Sequence, residues 1–223
     1  MAVDLAAIVP LPATYVHNAA AALDPLAGTA PLARVVRTMR GAAVVAVAGP
    51  LVDAVRESLA AHGLSAVGVA VAEDPGSRAQ CLVAGLDYLK EQSLHVLIHD
   101  VRRPLAPDSV RDRVIAGLQA GSQVVMPALA VTDSVKAVDE SGSVTGTLDR
   151  SMLRAVQYPR GFTADQLSQL LAGTSDEFDE LNESLRTGTP ITFVDGDSDA
   201  FVVELPRDAA FVEAIITCRP AAG

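Results

Sequence analysis

Positive charge is what this chain has least of. Its 223 residues carry 17 Lys or Arg against 27 Asp or Glu, a formal net of -10. That balance argues against general binding to nucleic acid or to an anionic membrane surface. An anionic small substrate stays open, because it needs only a few local cations. No Lys or Arg precedes Arg34, and Lys occurs only at positions 90 and 136. Cysteine is scarcer still. Cys81 and Cys218 lie far apart and lack metal-ligand spacing, so they read as reduced thiols of a cytoplasmic protein. No apolar run reaches the roughly 18–20 residues that span a bilayer. The stretch 41–52 comes nearest, and Gly49-Pro50 breaks it. No basic segment opens the chain, which argues against a signal peptide. Trp is absent and aromatics make up 4%, a compositional bias without functional content.

Half of the residues are apolar, enough for a large core in one α/β domain or two small ones. Short apolar runs at 5–11, 42–48, 66–72, 96–99 and 123–128 read as strands, the Val-rich ones buried on both faces. Helical segments are expected between them at 31–40, 51–62, 77–90 and 108–120. Pro31 suits a first helical turn, and Gly63 suits the position after a helix end. Such alternation predicts a mostly parallel sheet with helices on both faces. Ligands then bind at strand carboxyl ends where the strand order reverses. Beyond residue 130 the pattern changes. Residues 131–147 are polar and turn-rich, as in a projecting hairpin arm. Residues 148–157 and 163–171 look helical. Phe178, Leu181 and Leu185 share one stripe of a surface helix. Residues 191–194 and 201–205 look like late strands, and 206–217 like a closing helix.

Three segments carry chemistry. In Val96-Leu-Ile-His-Asp100, an apolar strand delivers a His-Asp pair to its carboxyl end, followed by Val101-Arg-Arg-Pro104. Asp100 there can hold Mg²⁺ on a triphosphate, and Arg103 can grip phosphate through its planar fork. The plainer account is a strand-end Asp capping the loop, with Arg102 and Arg103 solvated. In Pro127-Ala-Leu-Ala-Val-Thr-Asp-Ser-Val-Lys136, hydroxyls and an ammonium follow a buried strand. They suit a phosphorylated alcohol, or else an ordinary turn capped by Asp133. In the third, Asp149-Arg-Ser-Met-Leu-Arg-Ala-Val-Gln-Tyr-Pro-Arg-Gly-Phe162, Asp149 or Thr147 is a candidate cap. Arg150 then sits where a cation opposes the helix dipole, which hints at an anionic partner.

Together, in this order and spacing, the segments resemble the 2-C-methyl-D-erythritol 4-phosphate cytidylyltransferase family. Its members read roughly V-x-x-H-D-A-A-R-P, P-x-x-D-T-x-K and D-R-x-x-L-x-x-x-Q-T-P-Q-x-F. Fainter echoes are Gly28-Thr-Ala-Pro-Leu32, Arg78-Ala-Gln-Cys81 before Val83-Ala-Gly-Leu86, and Ser175-Asp-Glu177. The resemblance implies a single Rossmann-like domain of the nucleotide-diphospho-sugar transferase type. A β-arm at about 131–157 would build a cytoplasmic homodimer. It implies cytidylyl transfer from CTP to a sugar-alcohol phosphate, in isoprenoid biosynthesis by the non-mevalonate route. By the same resemblance Asp100 and Asp199 would hold Mg²⁺. Asp100, Arg103, Ser134, Lys136 and Arg150 would meet the sugar phosphate, Arg150 from the partner subunit. Pro10, Leu11, Arg78 and Cys81 fall at nucleotide positions.

Other residues depart from the family. Members open with a strand, P-A-A-G-x-G-x-R and a Pro-Lys, whose glycines let backbone N–H groups wrap the triphosphate. Here Pro10-Leu-Pro-Ala-Thr-Tyr-Val-His17 precedes any glycine, and Pro10 and Pro12 have no N–H to donate. Cys81 replaces a base-contacting Ser, and Tyr158 replaces the Thr before Pro159. A late D-x-x-K reads Asp199-Ala-Phe-Val202. Alternatives are therefore a non-catalytic paralogue that binds a phosphorylated metabolite or a protein, and a transferase with another donor.

Overall fold

The computed structural model describes residues 5–39, 42–89, 94–173 and 178–218. The Ser175-Asp-Glu177 echo and Lys90 lie outside them. The apolar runs form β1 (Leu5–Leu11), β2 (Ala42–Val47), β3 (Gly68–Val71), β4 (His95–Ile98) and β5 (Val124–Ala130). Helices α1 (Ala20–Leu23), α2 (Pro31–Thr38), α3 (Val52–Ala61), α4 (Arg78–Leu89) and α5 (Asp108–Gln119) connect them. Pro31 opens α2, where its fixed φ suits the first turn. Gly63, at φ 71°, follows the end of α3 in the left-handed region that a Cβ disfavours.

The main sheet runs β10-β5-β9-β4-β1-β2-β3, with β8 (Arg154–Val156) also on β5. β9 is Arg160–Thr163 and β10 is Thr192–Asp195. β1 pairs with β2 and β4 in parallel. β9 is antiparallel to both β4 and β5, so the sheet is mixed but mostly parallel. Period-two alternation explains why runs such as Ala42–Val47 are apolar throughout. Ile8, Val44, Ala46, Val96 and Ile98 join one core with Leu82 of α4. Val9, Leu11, Val45 and Val47 join the other with Leu32 of α2 and Val55 of α3. The chain runs outward from β1 to β3, then returns to β4 on the other side of β1. A crevice opens between the carboxyl ends of β1 and β4, where such a reversal leaves room for ligands.

Several expectations fail locally. Residues 148–157 hold no α-helix. β7 (Val144–Leu148) leads into a short turn of 3₁₀-helix, Arg150–Met152, capped by the Asp149 carboxylate, and then into β8. Pairing of β8 with Ala128–Ala130 overrides the helix-like spacing of Leu148, Met152 and Val156. The hairpin itself is present: β6 (Val135–Val138) and β7 form a separate two-stranded sheet. Residues 201–204 are extended but join no ladder; the Val203 N–H donates to the Arg102 carbonyl at 2.7 Å instead. Helix α6 (Ala164–Leu171) forms as expected, with Thr163 accepting from the Gln166 amide. Helix α7 is only Glu180–Arg186, so Phe178 precedes it and Leu185 is exposed. The closing helix, α8, is Ala209–Cys218.

Candidate active site

A cavity of about 750 Å³ occupies the crevice. Its size suits a nucleotide-sized ligand. One wall is the end of β1 and the segment after it, with Pro10, Pro12, Tyr15 and Asn18; opposite lie Ser77, Arg78, Asp100 and Arg102. Phe178 and residues 203–205 close a further side.

The end of β1 and the segment after it offer few free amides. Pro10 and Pro12 have none. The Ala13 N–H donates to the Gly76 carbonyl at 2.8 Å. Those of Tyr15, Val16 and Asn18 donate back to Pro12, Ala13 and Tyr15. No Lys or Arg stands in this wall, so the cavity's cations come from α4 and from the loop after β4.

That loop is built by His99 and Asp100. The His99 N–H extends the ladder to the Ile8 carbonyl at 3.1 Å. Its buried ring accepts the Asp100 N–H at Nδ1, 2.8 Å, which turns the chain and presents the carboxylate. Burial pulls the His99 pKa down to about 4, so the ring is a neutral structural group at neutral pH. Asp100 is 4% exposed. The Arg102 amide donates to Oδ1 at 2.9 Å. Arg102 Nε lies 3.1 Å from both carboxylate oxygens, and Nη2 lies 2.5 Å from Oδ2. Burial pushes the Asp100 carboxyl up, but the bonds and charge of Arg102 outweigh it and hold the pKa below the ordinary range. The side chain of Arg102 is therefore no solvated bystander.

A second network backs the cavity. Glu180 is fully buried and accepts from Arg78 Nη2 at 2.6 Å, Arg160 Nη1 at 2.6 Å and the Tyr158 hydroxyl at 2.9 Å. The guanidinium carbons of Arg160, Arg78 and Arg103 lie 4.1, 5.8 and 5.8 Å from the Tyr158 ring centroid. Cation–π attraction and one buried carboxylate thus hold a cluster of arginines together.

Of the expected site residues, Pro10, Arg78 and Asp100 line the cavity. Leu11 is buried beside it in the core. Cys81 is also wholly buried, its thiol facing the Leu11 backbone, with burial pushing its pKa up to about 12. Arg103 turns away to bond the Ala200 and Val156 carbonyls. Asp199 sits in the 3₁₀ turn Ser198–Ala200, off the cavity lining. Ser134, Lys136 and Arg150 are exposed on the arm. Lys136 donates to Thr147 Oγ1 at 2.8 Å, and Arg150 donates to the Thr132 carbonyl. Sequence reasoning missed the Arg102 pairing and the Glu180 network. The available signals were Arg102 where the family motif carries Ala, and Tyr158-Pro-Arg160 where it carries T-P-Q.

The family model for IspD, 2-C-methyl-D-erythritol 4-phosphate cytidylyltransferase, matches residues 22–218. The chain belongs to this family. Several relatives carry the family's name in full. The one from Rhodococcus opacus is 36% identical over 174 residues, covering 78% of this chain and 74% of the relative. That from Frankia casuarinae is 37% identical over 211 residues, covering 90% and 76%. A like-named Nocardia farcinica protein is 42% identical, but the chain spans only 55% of its length. The crystal structure of 4-diphosphocytidyl-2C-methyl-D-erythritol synthase from Anaerococcus prevotii superposes with a TM-score of 0.77 at 19% identity, covering 96% of this chain and 99% of that one. The Thermus thermophilus cytidylyltransferase gives 0.75 at 22%, with the same coverage. These likenesses establish the family's α/β fold. The matched span begins at Ala22, inside α1, so β1 and the cavity wall that follows it precede the span.

Proposed function

We propose that the protein transfers the cytidylyl group of CTP to methylerythritol phosphate and releases pyrophosphate. A phosphate oxygen of the acceptor forms a bond to the α-phosphorus of CTP. The bond from that phosphorus to the bridging oxygen breaks, and pyrophosphate leaves with the electron pair. The observation that carries this reading is the Asp100–Arg102 pair, fixed with Arg78 in a nucleotide-sized cavity over the ends of β1 and β4. The chemistry needs position and charge neutralisation more than proton transfer. Arg102 and Arg78 are the cavity's arginines for that work.

The whole chain acts as one domain in this reading, with residues 131–157 as its arm. Val138, Val144 and Met152 on the arm are 59, 65 and 81% exposed, which supports a homodimer formed there. Ser134, Lys136 and Arg150 then serve the acceptor phosphate across that interface. Among the described residues no helix is long and apolar enough to cross a membrane. The cytoplasm as the place of the reaction rests on the family reading alone. Mg²⁺, the family's implied metal, does not fit this arrangement. Both Asp100 oxygens are engaged by a cation, and no cluster of three His, Cys, Asp or Glu occurs among the described residues.

A pyrophosphate-release assay with CTP and methylerythritol phosphate tests the reading. Turnover supports it; no turnover with either order of addition overturns it. The absence of Lys and Arg between β1 and Arg34 favours one second reading, a protein that binds the sugar phosphate without transfer. Separate titrations of CTP and methylerythritol phosphate tell the two apart.

A further inference from the structure

Asp100 projects from the end of β4 into the crevice, nearly buried, where an anionic ligand and a divalent cation would meet. Its two oxygens already receive the Arg102 main-chain N–H, Nε and Nη2, at 2.5 to 3.1 Å. A divalent cation such as Mg²⁺ needs its oxygens at close range in near-ideal octahedral geometry, and it sheds water reluctantly. The guanidinium covers the carboxylate edge that would supply such an oxygen, and it repels a second cation there. Among the described residues no further cluster of carboxylates offers to replace what Asp100 has given away. Arg102 itself is well placed for an anion. Its side chain is 55% exposed and lines the cavity. No acceptor among the described residues is bonded to its Nη1. A guanidinium pinned along one edge by a carboxylate keeps its other edge for phosphate oxygens, and its charge persists at any physiological pH.

We propose that Arg102 takes the place of the divalent cation on Asp100, so that the cavity holds its phosphate-bearing ligand through a guanidinium and without metal. The ligand half rests on the cytidylyltransferase reading; the metal half stands on the Asp100–Arg102 geometry alone. The same pairing gives Asp100 a positioning role, since it orients Arg102 and need not touch the ligand.

The test is a Mn²⁺ titration followed by electron paramagnetic resonance, without nucleotide, on the full chain. Wild type is expected to leave Mn²⁺ free. Arg102→Ala frees the carboxylate and gains a bound Mn²⁺ signal, which Asp100→Asn on that background removes. Arg102→Lys keeps a positive charge and keeps Mn²⁺ out. In parallel, CTP binding to wild type is expected to be equal in EDTA and in Mg²⁺. Arg102→Ala weakens CTP binding in EDTA by about tenfold or more, the size of a lost charge-assisted contact. A Mn²⁺ signal in wild type that Asp100→Asn abolishes would overturn the proposal, and this needs only the native chain and one near-isosteric variant. So would an Arg102→Ala protein that melts cooperatively yet gains no Mn²⁺. If CTP fails to bind under every condition, the nucleotide reading falls, while the Mn²⁺ result still decides the exchange of metal for arginine.

Discussion

The Tyr158 hydroxyl donates to Glu180 Oε2 at 2.9 Å, and Arg160 Nη1 reaches the same oxygen at 2.6 Å. Glu180 is thus the buried counter-ion of Arg160 and, through Oε1, of Arg78. Removing one partner of such a group leaves uncompensated charge where water cannot reach. Glu180→Gln keeps the volume and is expected to destabilise the fold by about 3–5 kcal/mol. Urea unfolding of the variant against wild type measures it. A loss near zero would mean the arginines are solvated in solution.

Stability should fall as the solution is acidified, and His99 sets part of the window. Burial holds its folded pKa at about 4, against an ordinary value of 6.5. Between those values the unfolded chain binds a proton that the folded chain refuses. The stabilisation is complete above pH 6.5 and drains away as pH falls toward 4, by roughly 3 kcal/mol in all. Asp100 and Asp179, both held below the ordinary carboxylate range despite burial, add losses of the same sign at lower pH. His99→Gln should flatten the slope between pH 6.5 and 4.5 in denaturant titrations.

The two thiols should differ sharply. The buried Cys81 thiol has its pKa pushed up to about 12, while Cys218 is exposed. Only the thiolate is nucleophilic. Ellman's reagent at pH 8 is expected to titrate Cys218 alone in the native protein, and both thiols in guanidinium chloride. Rapid native reaction of Cys81, read with Cys218→Ser, would contradict the packing of α4 on β1.

Gly76 closes the cavity wall, with φ at 77° and its carbonyl accepting the Ala13 amide. A Cβ there would lie 2.5 Å from Ala48 Cβ, and the left-handed backbone disfavours any side chain. Gly76→Ala is expected to cost about 1–3 kcal/mol, from strain and overpacking together. The same variant should weaken CTP binding, because the segment from Pro12 to Tyr15 hangs on that carbonyl.

Sequence and structure agree best where one physical signal dominates. β1 falls on residues 5–11 as expected, because a continuous apolar run closed by Pro12 has few alternatives. β9 went unseen because Arg160-Gly-Phe-Thr163 is short and shows no alternation; its partners on both sides make it a strand. Asp100 was legible from the strand-end motif. Its engagement by Arg102 was not, since the direction of a loop side chain carries no periodic signature. Arg78 and Glu180 stand 102 positions apart, and nothing local announces their contact.

The arm has a mechanical consequence of its own. Its outgoing leg continues from Ala130, the last residue of β5, and its returning leg is β8, hydrogen-bonded to Ala128–Ala130. Gln157 then locks that return, exchanging amide bonds with Asp197 at 2.8 and 2.9 Å. Between these anchors and the β6–β7 hairpin lie residues 131–134 and 149–153, which join no ladder. A pull on the tip is therefore shared by two legs that return to one strand, and those two segments are where the arm can bend.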